Sequence, residues 1–316
     1  MAKTPKILVI GSVNMDLAVR APAMPEPGET VLGDGFVTNP GGKGANQAVA
    51  AARLGAEVRM IGRVGKDQFG ETLLANLQAE GIECTYVRRT QNAPTGVAMI
   101  VVDANGENSI VVASGANFAV TPDDIFPRTQ LFAEADAVLL QFELPLPTAR
   151  AAIEMARRHR CKVILDPAPA PKQLCDELCM VDIISPNVGE AQRLTGRPAA
   201  GAGEERIEKL VAMDLIARGA KAAVLKLGAR GSLLVDADGH FAKVPPFRVE
   251  VVDTTAAGDA FTAALAVASA EGQKLRHAAR FANAAGAIAC TRLGAQSAMP
   301  TREEVRMLMA DQPMQD

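Results

Sequence analysis

Two short segments each lead from glycine and other small residues into an apolar helix, a pattern suited to holding an anion or a polyhydroxylated ligand on exposed backbone amides. The first is Asn39-Pro40-Gly41-Gly42-Lys43-Gly44-Ala45-Asn46-Gln47, whose glycines let backbone and ligand approach closely. Its successive amides, the Lys43 cation and the side-chain amides suit sugar hydroxyls, or the charge that builds on a transferring phosphoryl group. A glycine-rich turn with an ordinary helix cap fits the same residues, because such helix entries are common in α/β folds. The second is Val252-Asp253-Thr254-Thr255-Ala256-Ala257-Gly258-Asp259-Ala260-Phe261. Here Asp259 falls in the first helical turn, where an acid favours the helix dipole by roughly 0.3–1 kcal/mol on its own account. A dipole partner does not need small residues in front of it, whereas Ala256-Ala257-Gly258 clears room for a group to approach the backbone.

Such helix entries need a frame, and the rest of the chain supplies one. Apolar runs at Lys6–Ile10, Val58–Ile61, Val138–Gln141, Lys162–Asp166, Asp182–Ser185 and Ala223–Leu227 predict strands. Helical patterns at Ala45–Leu54, Thr148–His159 and Ile207–Arg218 alternate with them. The alternation predicts a three-layer α/β/α, Rossmann-like core with a mostly parallel sheet and right-handed crossovers. Leu17–Thr38 and Thr95–Ala113 instead read as paired strands, the second turning at Asp103-Ala104-Asn105-Gly106. Lacking covering helices, they are expected to form a small β-sheet lid at about 17–38 and 95–113, within one domain spanning 1–316. The segment Arg197–Gly203 reads as a short loop.

Composition removes several classes of function. The net charge of −3 gives no positive field for nucleic acid, so no such partner is expected. No apolar run reaches the roughly 18 residues of a membrane span. Met1–Lys6 leads almost at once into a strand with no signal-like segment, which predicts a cytoplasmic protein. The five cysteines (Cys84, Cys161, Cys175, Cys179 and Cys290) form no Cys-x-x-Cys pair and read as reduced thiols. His159, His240 and His277 are scattered and receive no chemistry. There is no G-x-x-x-x-G-K-[ST] loop and no G-x-G-x-x-G fingerprint, which disfavours a Walker-type ATPase or a dehydrogenase. Any nucleotide must use another anion cradle.

The two glycine-rich segments, in this order and spacing, resemble those of the ribokinase family of carbohydrate kinases. The likeness begins at Gly11-Ser12-Val13-Asn14-Met15-Asp16 and continues through Pro25-Glu26-Pro27-Gly28-Glu29-Thr30. It ends at Thr291-Arg292-Leu293-Gly294-Ala295-Gln296, so it covers nearly the whole chain. The resemblance implies an ATP-dependent sugar kinase acting on the primary 5-hydroxyl of D-ribose. It implies that Asn14, Asp16, Gly42, Lys43, Asn46 and Glu143 hold the sugar and that Asp259 is the catalytic base. Ala257, Gly258 and Lys43 would then stabilise the moving phosphoryl group. Taken alone, Asp16 reads as a turn residue and Glu143 as a solvated loop acid.

For the nucleotide, the resemblance implies contacts from Asn187, Lys226, Leu227, Gly228, Ala229, Arg230, Gly231, Gly258 and Asn283. Asn187 and Glu190 also have the spacing of a reciprocal helix cap. Glu190 would order Mg²⁺ through water, and K⁺ would sit among Asp253, Thr255, Ala289, Arg292, Gly294 and Ala298. Ala298 departs from the family's usual serine, with Ser297 adjacent as a substitute. Lys226 stands where many relatives carry a small hydroxyl residue, and could face phosphate or solvent. Ala256 replaces a glycine common in the wider family, with little harm expected. A homodimer through the lid is also implied. Deoxyribose, a ketohexose or a nucleoside are alternative acceptors, and a silent sugar-binding protein on the same fold is the reading from another class.

Overall fold

Apolar runs too short for helices form the strands, and the amphipathic stretches between them form the covering helices. The computed structural model describes residues 3–197 and 205–314. From the N-terminus, β1 (Lys6–Ile10) is followed by β2 (Asn14–Arg20), β3 (Gly35–Gly41), α1 (Lys43–Arg53), β4 (Glu57–Gly65), α2 (Gln68–Ala79) and β5 (Val87–Thr90). Next come β6 (Gly96–Val102), β7 (Asn108–Ala113), the short α3 (Pro122–Ile125) and α4 (Thr129–Glu134), β8 (Ala137–Gln141), α5 (Leu146–Arg158), β9 (Lys162–Asp166) and β10 (Ile183–Ile184). The rest comprises α6 (Val188–Thr195), α7 (Glu205–Ala217), β11 (Ala222–Lys226), β12 (Ser232–Asp236), β13 (Phe241–Val244), α8 (Ala257–Ala270), α9 (Leu275–Ala289) and α10 (Arg302–Asp311).

Among the described residues the main sheet has nine strands in the order β13-β12-β11-β10-β9-β8-β1-β4-β5. It is parallel from β11 to β5, and β12 and β13 add an antiparallel edge. Central strands such as β8 are buried along their whole length, which is why they read as continuous apolar runs. On one face, small alanine side chains let α1, α8 and α9 pack closely with the sheet. On the other, α5, α6 and α7 bury Ile153, Leu194 and Leu215.

The expected lid exists as a second sheet, β3-β2-β6-β7. Its strands run further inward than 17–38, because Asn14 still pairs with Gly41 on one side and with Gly96 on the other. Asp16 is therefore a strand residue opposite Asn39, not a turn residue. The Asp103–Gly106 turn forms as expected, with Gly106 at φ +81° and the Asn105 amide donating to Asp103 Oδ1. One face of this sheet leaves Phe36, Met99 and Val111 exposed, and Ile110 is exposed on the other.

The parallel element read at Asp182–Ser185 shortens to Ile183–Ile184 before Pro186, which cannot donate to a ladder. The β12–β13 hairpin did not stand out among the βα repeats. Beyond Arg197, the loop read at Arg197–Gly203 lies outside the described residues. Cys84, Cys161 and Cys179 are buried and Cys175 is exposed, all as free thiols. Among the described residues no helix is long and apolar enough to cross a membrane.

Candidate active site

The parallel strands β1, β8, β9 and β11 end on one side of the sheet, the position at which open α/β sheets bind ligands. Polar residues gather there: Ser12 after β1, Gln141 and Glu143 at and after β8, Asp166 ending β9, and Lys226 ending β11. The N-termini of α1 and α8 close the site from the opposite layer.

At α1, Gly42 takes φ +89°, and a Cβ there would stand 2.7 Å from the Asn14 nitrogen. Gly44 lies against the backbone of Gly11 and Ser12, with its Cβ position 2.5 Å from both the Gly11 carbonyl carbon and the Ser12 nitrogen. This close approach is what the glycines provide. Gly41 leaves the space occupied by the Asp16 carboxylate, which a Cβ would meet at 2.2 Å. Glu143 is no solvated loop acid: its Oε2 accepts from Ser12 Oγ at 2.5 Å and from the Lys43 amide at 3.2 Å. It thereby caps α1. Asn14 is held by Asn117, whose Nδ2 donates to Asn14 Oδ1 at 2.6 Å.

At α8, Ala256 is a non-glycine residue at φ +56°, which explains why glycine suits the position and costs alanine roughly 1–2 kcal/mol. The Ala257 amide donates to the Thr254 carbonyl at 3.3 Å, while no protein acceptor takes those of Gly258 and Asp259 among the described residues. The free anion donors are thus shifted one residue along from the expected pair. Asp259 is buried, and its oxygens accept from Asn46 Nδ2 at 3.0 Å and Gln47 Nε2 at 3.1 Å. Asn46 Oδ1 has no partner among the described residues.

The electrostatics follow from this crowding. Burial, then Glu143 and Asp259, push the Asp16 carboxyl up to about 7. Burial also raises Asp259, with Lys43 opposing and Asp166 adding to the rise. For Lys43 burial disfavours the charge, but Asp259, Asp166, Glu143 and Glu190 outweigh it and hold the ammonium firmly protonated. Lys43 is therefore a cation set among several acids.

On the nucleotide side the structure refines each expectation. Asn187 and Glu190 form the reciprocal cap of α6, Asn187 Oδ1 accepting from the Glu190 amide and Glu190 Oε2 from the Asn187 amide, both at 2.8 Å. Leu227, Gly228, Ala229, Arg230 and Gly231 make the tight turn after β11, with the Leu227 amide on the Gly231 carbonyl at 2.9 Å. Arg230 pairs with Glu208 at 2.5 Å, so its charge is engaged by α7. Asn283 is a buried amide whose Nδ2 donates to the Val244 and Pro245 carbonyls, fixing a loop rather than exposing a surface group. Lys226 forms a largely buried ion pair with Asp166 at 2.8 Å.

Asp253 ties the two ends of the expected cation loop together. Its Oδ1 accepts from the Thr255 amide and hydroxyl, and its Oδ2 from the Gly294 amide. Burial works against its ionisation, yet these bonds hold it below the usual carboxylate range. Ala298 carries no side-chain oxygen, and the adjacent Ser297 hydroxyl donates to the Leu293 carbonyl at 2.9 Å.

Sequence reasoning missed Ser12, Gln47, Asn117, Gln141 and Asp166 as site residues. For Ser12, Gln141 and Asp166 the available signal was a polar residue at or just after the end of an apolar strand, on the carboxyl side of a parallel sheet where ligands bind. Asp236, Asp238 and His240 also cluster, but on the β12–β13 turn. The register of β12 with β11 puts that turn at the opposite end of the sheet.

A buried carboxylate beside a cation and a helix start with free amides, on an open α/β sheet, is the equipment of a small-molecule kinase. Residues 4–302 match the family described as pfkB family carbohydrate kinase, and the chain belongs to that family. It is similar to the ribokinase of Bacillus subtilis (strain 168), with 41% identity over 304 residues covering 96% of this chain and 99% of that protein. It is 37% identical over 299 residues to the deoxyribokinase of Salmonella typhi, covering 94% of this chain and 96% of that one. Its fold superposes on the structure of Arabidopsis thaliana ribokinase complexed with ribose and ATP with a TM-score of 0.90 and 34% identity, covering 97% and 99% of the two chains. The protein is a phosphotransferase with an alcohol group as acceptor.

Proposed function

We propose that the protein transfers the γ-phosphoryl group of ATP to the primary 5-hydroxyl of D-ribose, giving ribose 5-phosphate and ADP. The observation that carries the reading is the meeting of Asp259, Lys43 and the free α8 amides at one point beside unpartnered sugar-binding groups. The choice of ribose is supported by the named activities of the relatives. Asp16, the free oxygen of Glu143, Asn46 Oδ1 and the Asn14 amide offer acceptors and donors for sugar hydroxyls, with Gly42 and Lys43 beside them. As the 5-oxygen attacks, its proton passes to Asp259. Lys43 and the free amides of Gly258 and Asp259, at the turn that Ala257 opens, stabilise charge on the phosphoryl group.

Asn187 and the turn Leu227–Gly231 approach the nucleotide, with Asn283 shaping the adjoining loop. Magnesium fits at Glu190 through water, since one carboxylate oxygen stays outside the cap. Potassium fits Asp253 with the carbonyls of Thr255, Ala289, Arg292 and Gly294, while Ala298 adds no side-chain ligand. When bound, the two ions neutralise phosphate charge and steady the anion cradle. The chain acts as one kinase domain with a lid, in the cytoplasm, and the exposed Phe36, Met99, Ile110 and Val111 support dimerisation of lid on lid. The intact Asp259 network argues against a silent sugar-binding protein.

Coupled ADP release with Mg-ATP, with and without K⁺, tests the acceptor across ribose, deoxyribose, fructose, adenosine and fructose 6-phosphate. The expected kcat/KM for ribose exceeds that for deoxyribose by roughly 10²-fold or more, because a site built to hydrogen-bond a hydroxyl rejects the analogue lacking it. Equal or better turnover of deoxyribose would replace ribose as the acceptor.

A further inference from the structure

Lys226, Asp166, Gln47 and Asp259 form a single line of contacts. Lys226 Nζ donates to Asp166 Oδ1 at 2.8 Å, with only 12% of the lysine and 1% of the aspartate side chain exposed. Gln47 Nε2 donates at 3.1 Å to both Asp166 Oδ2 and Asp259 Oδ1. Behind it, Gln141 Nε2 fixes the Gln47 carbonyl at 2.6 Å. An amide shared by two carboxylates leaves them close, and each disfavours ionisation of the other. A buried carboxylate without a cation is strongly unfavourable.

We propose that Lys226 is a positioning residue that neutralises Asp166, so that Gln47 stays aimed at Asp259 and Asp259 stands ionised to receive the sugar proton. This rests on Asp259 being the base. The charged groups acting on Asp259 are Lys43 from α1, Asp166 from β9 and Asp16 from β2, and Glu143 after β8 and Glu190 on α6 act in turn on Lys43. Lys226, from β11, is the cation hydrogen-bonded to Asp166. The direction of the Asp259 shift agrees, since Asp166 adds to the rise caused by burial.

Lys226 Nζ also lies 3.5 Å from where a Cβ on Gly258 would stand, which places it near the anion cradle. Direct phosphate contact is therefore the competing role, and the two separate kinetically. Loss of a phosphate contact raises the KM for ATP whatever stands at position 166. Loss of a partner for Asp166 lowers kcat and is relieved when Asp166 is neutralised.

The test compares full-length Lys226→Met, Asp166→Asn, their double variant and Asp259→Asn, each checked by thermal melting, with kcat and KM for ATP measured from pH 5.5 to 9. Lys226→Met is expected to lower kcat about tenfold, move the acid limb of kcat to higher pH and leave the KM for ATP within about threefold. Adding Asp166→Asn is expected to recover most of kcat and return the limb. A raised KM for ATP with an unmoved limb, or a double variant no better than Lys226→Met, overturns the proposal. Should Lys226→Met fail to fold, Lys226→Gln takes its place: its limb moves to higher pH if the proposal holds and stays put if it does not. Near-normal kcat in Asp259→Asn removes the base assignment itself, a different failure from an unresponsive Lys226.

Discussion

Replacing Asp259 with asparagine is expected to lower kcat by roughly 10³-fold while sugar and ATP dissociation constants change by less than about fivefold. Asparagine keeps the size of the side chain, and its single oxygen can still accept from one of the two donors, Asn46 and Gln47, that hold Asp259. It cannot take a proton, so the loss falls on the step in which the hydroxyl becomes the attacking oxygen. Its removal of a buried charge also relieves Asp166 and Asp16, so the fold is expected to melt no lower than the wild type. Calorimetric binding and single-turnover rates on the same preparation separate these effects. Weakened sugar binding with little change in the bound rate would make Asp259 a ligand contact and not the base.

The second large effect is expected at Asp16. Its carboxylate sits over Gly41 in space that no other side chain could share, and has no hydrogen-bond partner among the described residues. Burial and two acidic neighbours push it up to about 7, so near neutral pH it is divided between its two forms. Sugar hydroxyls donate to the ionised form, so binding releases a proton below pH 7 and none well above it. The dissociation constant for sugar without ATP is therefore expected to rise about tenfold on going from pH 8 to pH 6. Asp16→Asn is expected to weaken sugar binding roughly 100-fold at pH 8, the loss of about 2.7 kcal/mol of charge-assisted hydrogen bonding, and to flatten that pH dependence. Titration calorimetry in buffers of different protonation enthalpy reads the released proton directly. A dissociation constant that stays flat from pH 6 to pH 8 in the wild type would place the carboxylate outside the sugar contacts.

Much of this arrangement is legible in the sequence because the same residues serve two levels at once. The apolar runs Lys6–Ile10 and Val138–Gln141 predict buried strands for the reason that they are buried on both faces of a parallel sheet. Gly41, Gly42 and Gly44 stand out by type, and each occupies a place where a Cβ would collide or the backbone turns to positive φ. Asp259 is visible because the small residues before it serve no capping purpose.

What stayed hidden was set by partners distant in sequence. Gln47, Gln141 and Asp166 look like a helix residue and two strand ends, and only the fold brings them onto one carboxylate network. Lys226 could not be placed from its neighbours, because its partner Asp166 lies on another strand. Asn283 is similar, reading as an amide on a helix but bonding to the carbonyls of Val244 and Pro245 at the end of β13. The engagement of Arg230 by Glu208 and of Ser297 by the Leu293 carbonyl likewise depends on loop geometry that spacing does not encode.

The central claim is that phosphate is transferred to the primary hydroxyl of ribose, and the most direct measurement is ³¹P–¹H correlation NMR of the product formed from ribose and Mg-ATP. The account predicts one phosphomonoester, coupled to the two protons on carbon 5, appearing in step with ADP. Phosphate coupled to another carbon, or ADP formed with no sugar phosphoester, would contradict it.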